Sequence, residues 1–163
     1  MLSSANILTP ESIDEVSSSI RRTWYAARRI VAYELLDISQ AIVNEWAELA
    51  VQTIKAWTPG LPYLALHDVS NPGVGMKYGW VHANLTHPAI TQFGRARLFA
   101  AAEDEEQFYG RVAMLISLRQ SGKLTGVVAA RHKARTETVP NLQHKIVSDR
   151  ARALQWLAEP LTS

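Results

Sequence analysis

The spacing of hydrophobic positions changes period along the chain, and each change predicts an element. Residues 18–27 carry Ile20, Trp24 and Tyr25, and residues 30–36 (IVAYELL) are rich in β-branched and aromatic side chains, so both stretches read as strands. Between them stand Ala27, Arg28 and Arg29, which predicts a hairpin whose turn carries no glycine or asparagine. From residue 40 the period becomes helical. Ile42, Trp46, Leu49, Ala50, Ile54 and Trp57 fall at offsets of 0, 4, 7, 8, 12 and 15, one face of a helix over 40–57. Asn44, Glu48, Gln52 and Lys55 make its opposite face. Ser39 stands where its side chain caps the first turn, and Thr58-Pro59-Gly60 ends the helix, because the residue before a proline avoids the α region.

Further on, YLAL at 63–66 is a short apolar run bounded by Pro62 and Asp68, the habit of a strand buried on both faces of a parallel sheet. RVAMLIS at 111–117 and residues 145–147 read as two more strands. Helices are expected over 88–109 and 123–136. A last helix is expected after a Ser148 cap, packing through Ala153, Leu154, Leu157 and Ala158 and stopped by Pro160. Pro72, Gly73, Gly75 and Gly79 make 67–85 a loop. Residues 1–16 read as a weakly ordered leader and 17–163 as one domain. The order β-β-α-β-α-β-α-β-α implies an α/β fold. Its sheet is small, mixed and mostly parallel, of about five strands, flanked by helices, with the first strand antiparallel at an edge.

Composition narrows the chemistry. None of the 163 residues is a cysteine, which excludes a disulfide framework, thiolate catalysis and iron–sulfur ligation. The five histidines show no metal spacing, and no dinucleotide or Walker glycine pattern occurs, so neither metal nor cofactor is expected. No run approaches a membrane span and no secretory signal opens the chain, which makes the cytoplasm the expected compartment. The net charge is only +2, but it is uneven: seven basic residues face one acid, Glu137, between 107 and 147. Lys123, Arg131, Lys133 and Arg135 are therefore candidates for contact with an acidic protein partner. Aromatic residues are absent from 110 to 155, so no stacking platform accompanies this charge and nucleic acid is not expected.

Ligands of open α/β sheets sit beyond the carboxyl ends of the strands. That rule nominates Asp68, Ser70, Ser117 and Arg119, with Trp80 in the glycine-rich loop as a lid. The ligand expected there is small and either apolar or anionic, Arg119 meeting an anionic head. A hydrolase using Ser70 and His67 is an outlier, because adjacent strand residues point to opposite faces and no nucleophile elbow is present. An enzyme is not expected.

KIVSDRARALQWL at 145–157 resembles the last strand and helix of anti-sigma-factor-antagonist (STAS) domains of the SpoIIAA-like type. YLALHDVS at 63–70 is similar to that family's central strand, which ends in an aspartate. The resemblance spans residues 20–158. It implies a small mixed sheet flanked by helices, a non-enzymatic regulatory role and a protein partner. Some members are switched by phosphorylation of a serine in an Asp-Ser-Ser/Thr-Gly motif. That motif is absent here: VGMKYGWVHANL takes its place, and Ser70 is the nearest serine. Two readings stand from the sequence: a regulatory protein-interaction module, or a carrier or sensor of a small apolar or anionic (lipid-like) ligand bound under the 71–85 loop. Homodimerisation is left open.

Overall fold

The computed structural model describes residues 7–37, 39–74, 109–117 and 142–162. One sheet holds six strands: β1 (Ser12–Glu15), β2 (Ile20–Tyr25), β3 (Ile30–Leu35), β4 (Tyr63–Asp68), β5 (Gly110–Leu115) and β6 (Leu142–Val147). They lie side by side in chain order. The first two pairings are antiparallel and the remaining three parallel. Helix α1 (Gln40–Lys55) connects β3 to β4, and helix α2 (Arg150–Thr162) follows β6. The expected mixed, mostly parallel sheet flanked by helices is therefore present, with six strands instead of about five. The helices expected over 88–109 and 123–136 lie outside the described residues, except Tyr109, which is not helical and stands directly before β5.

Strand alternation sends two sets of side chains to two faces. Val31, Tyr33 and Leu35 of β3, with Tyr63 and Ala65 of β4, pack with Trp46, Ala50 and Ile54 of α1. Ile30 and Ala32, with Leu64 and Leu66, pack with Ala153, Leu154 and Leu157 of α2. Both faces of β3 and β4 are thus covered, which is why their sequences read as nearly continuous apolar runs.

Four local details differ from expectation, each for a physical reason. Residues 12–15, assigned to the leader, form edge strand β1, although SIDE has no apolar face. Asp14 pairs with Arg22 at 3.1 Å and Glu15 with Arg21 at 3.2 Å. The cap of α2 is Asp149, not Ser148: its Oδ1 accepts from the Arg152 amide at 2.8 Å. Pro160 does not stop α2, which runs to Thr162. Proline offers no N–H to the carbonyl four residues back, and Arg111 Nη1 donates to that carbonyl, Trp156 O, at 2.6 Å. Finally, the β2–β3 turn holds three non-glycine residues in the left-handed region, Ala26, Ala27 and Arg28, at φ of 55°, 56° and 60°. Such a conformation costs roughly 1 kcal/mol or more per residue. The Glu11 carboxylate offsets it by accepting from the Ala27 amide and from the Arg28 amide at 3.1 Å.

Other expectations coincide with the structure. Ser39 Oγ accepts from the Ile42 amide at 3.3 Å and caps α1. Among the described residues no helix is long and apolar enough to cross a membrane.

Candidate functional site

Polar chemistry concentrates at two opposite edges of the sheet. The first is the carboxyl edge of the parallel strands. Glu15, Arg21, Glu34 and Asp68 occupy one cross-strand row, which Leu115 and Val147 continue. Arg21 bonds both Glu15 and Glu34 at 3.2 Å.

Asp68 is buried at the end of β4, with 4 % of its surface exposed. Its Oδ1 accepts from the Ser70 amide at 2.9 Å and from Ser70 Oγ at 2.6 Å. Its Oδ2 accepts from Arg150 Nη1 at 2.8 Å, and Arg150 Nη2 donates to Tyr25 Oη at 3.1 Å. Burial works against the Arg150 charge, but Tyr25, Asp68 and Glu34 outweigh it and push the pKa of Arg150 up. Both oxygens of Asp68 are therefore committed to the chain's own donors. Asp68 and Ser70 are brought together, as the sequence nominated them, but in a bond that fixes the exit of β4.

Ser70 and His67 are not brought together. His67 lies on the α1 face, its ring edge-on to Trp46 at 4.8 Å and to Tyr33 at 5.6 Å. Ser117 is half-buried just past β5, at the same edge as Asp68. Trp80, Arg119, Lys123, Arg131, Lys133 and Arg135 lie outside the described residues. Among the described residues no group of three or more His, Asp or Glu is placed to hold a metal ion.

The second edge carries a cavity of about 370 Å³ between β2, the β2–β3 turn and the end of α1. Period-two spacing puts Arg22 and Trp24 on the α1 face together. Trp24 stacks on Trp57, centroids 6.2 Å apart and planes 23° off parallel. Trp57 is fixed in turn: its Nε1 donates to Pro62 O at 3.1 Å, and its ring meets Tyr63 edge-on at 5.1 Å. The left-handed turn then brings Arg28 and Arg29 to the cavity, and the Arg28 guanidinium lies 4.9 Å from the Trp24 ring centroid. Arg22 lies 5.5 Å from the same centroid.

Three arginines thus line one cavity, and among the described residues no acidic one lines it. Arg22 is paired with Asp14. Among the described residues no carboxylate pairs with Arg28 or Arg29, and the buried Arg29 Nε and Trp24 Nε1 meet no acceptor. Both nitrogens are shut off from solvent and so lie within the walls, out of reach of a molecule in the cavity. The arrangement suits an anion: guanidinium forks match carboxylate and phosphate oxygens. Sequence reasoning looked to the opposite edge and missed it. The usable signal was Arg22 and Trp24 two residues apart on a strand, followed by Arg28-Arg29 in its turn.

Compared with known proteins, the chain matches no family model, no curated protein and no solved structure.

Proposed function

We propose that this chain is a non-enzymatic binding module that senses or carries a small anion in the cavity walled by Arg22, Arg28 and Arg29. The carrying observation is that cavity itself: three arginines line it and, among the described residues, no acid does. The anionic ligand foreseen from sequence is kept, but its site moves from the carboxyl ends of the strands to the other edge. A non-enzymatic role agrees with Asp68 and Ser70 bonding to each other and to Arg150. Titrating the protein with inorganic phosphate at low salt, read by tryptophan fluorescence, tests the reading. Saturable binding that weakens at least tenfold in Arg28→Gln/Arg29→Gln is expected, since each charged hydrogen bond contributes about 1.5–3 kcal/mol. Binding equal in wild type and variant refutes it.

One observation favours the second reading, a STAS-like regulatory module that works through a protein partner. The two stretches that carry the resemblance meet in space, because Arg150 of 145–157 bonds Asp68 of 63–70. In that reading Lys123, Arg131, Lys133 and Arg135 contact the partner. A partner that co-purifies with wild type and is lost from Arg131→Glu/Lys133→Glu/Arg135→Glu supports it; retention by the variant speaks against it.

A further inference from the structure

The two walls of the cavity differ in chemistry, and that difference defines the ligand more closely. One wall is cationic, formed by Arg22, Arg28 and Arg29 of β2 and its turn. The facing wall comes from the end of α1 and the turn after it: Ala56, Trp57 and Leu61, with the uncharged polar Gln52, Thr53 and Thr58. Among the described residues no charged side chain stands on that second wall. It also carries the carboxyl end of a helix, where the aligned peptide dipoles place partial negative charge. An anionic group is therefore drawn to the arginines and repelled from the helix end.

Size adds a second constraint. One water needs about 10–15 Å³ of such space, and the cavity offers 370 Å³, many times that. A lone phosphate or sulfate fills only part of that space. What remains is bordered by the uncharged second wall, apolar at Ala56, Trp57 and Leu61.

We infer that the ligand is an organic anion with two parts: one phosphate or carboxylate head on Arg28 and Arg29, and an uncharged, apolar-faced body against Ala56, Trp57 and Leu61. This inference rests on the anion-binding reading above and specifies its ligand class.

Three probes with one head and a growing body test it: inorganic phosphate, phenyl phosphate and 2-naphthyl phosphate, titrated calorimetrically into the full chain. Phenyl phosphate is expected to bind at least tenfold tighter than inorganic phosphate, and naphthyl phosphate tighter again, as apolar area leaves water. Arg28→Gln/Arg29→Gln weakens all three alike. Leu61→Ala weakens naphthyl phosphate several-fold and leaves inorganic phosphate unchanged. Equal affinities across the series overturn the two-part ligand and leave the anion site standing. Failure of all three to bind at millimolar concentration overturns the anion site and this inference with it. A body-dependent gain that survives both variants places binding elsewhere and also overturns the inference.

Discussion

Breaking the Asp68–Arg150 pair from its two ends should cost unequal amounts, because the partners are unequally buried. The Asp68 side chain is 5 % exposed and that of Arg150 36 %. Arg150→Met leaves a buried carboxylate with only the two Ser70 donors. The cost of stranding a buried charge is about 3–5 kcal/mol, and the low end applies because Ser70 still bonds Oδ1. Asp68→Asn leaves a guanidinium that water reaches, so the loss is about 2 kcal/mol, one charge-assisted bond. For a chain of 163 residues, each 1 kcal/mol moves the melting temperature by about 2–4 °C. Arg150→Met should thus melt roughly 6–12 °C lower and Asp68→Asn about 4–8 °C lower. The double variant should cost no more than Arg150→Met alone, a coupling of about 2 kcal/mol by double-mutant cycle. Urea unfolding followed by circular dichroism measures all four proteins. Additive losses, within about 0.5 kcal/mol, would refute the argument that these two groups depend on one another.

High pH should destabilise the fold through two buried phenols. Burial pushes the pKa of Tyr33 up and that of Tyr63 well above its ordinary value. The unfolded chain therefore ionises first, above about pH 10, while the folded chain keeps its protons; stability is level below that pH and falls above it by up to about 1.4 kcal/mol per pH unit per phenol. Urea midpoints recorded from about pH 8 upward should show this fall in wild type and a flatter profile in Tyr33→Phe/Tyr63→Phe; an identical profile would contradict it. Gly110→Ala should cost about 3 kcal/mol or prevent folding, because a Cβ there stands 1.9 Å from the Tyr63 carbonyl oxygen and β4 and β5 must separate to admit it. Gly60→Ala, at φ 77° but in open space, should cost only about 1 kcal/mol, so comparable losses in the two variants would count against the steric account.

Most of the sheet was legible because its order follows burial. β2 to β6 and both helices announce themselves by apolar runs or a helical stripe, since each must cover part of one core. β1 is different. Its residues are half-buried or exposed, Ile13 is 57 % exposed, and what holds it is the pairing of Asp14 and Glu15 with a strand further along. No local pattern reports such a partner. The turn at 26–29 was equally silent, because its left-handed residues are stabilised by Glu11, fifteen residues before Ala26, and not by glycine. The cavity inherits both difficulties: it depends on where that turn lies and on which face Arg22 takes. The strand-end rule put Asp68 and Ser70 at the carboxyl end of β4, which is where they stand. Their mutual bond and the Arg150 bond were not foreseen, because the last contact joins residues 82 apart in sequence.

The charged row also determines how the edge of the sheet is assembled. A strand with one greasy side cannot slide by a residue without turning that side to water, but β1 has no such side to protect it. Here the alignment is encoded in acid and base instead: Asp14 lies opposite Arg22 and Glu15 opposite Arg21. Shifting β1 by one residue in either direction leaves only one acid facing an arginine, the other meeting Ile20 or Thr23. Salt concentration, which hardly touches the buried strands, thus becomes a control over the fidelity of this one edge.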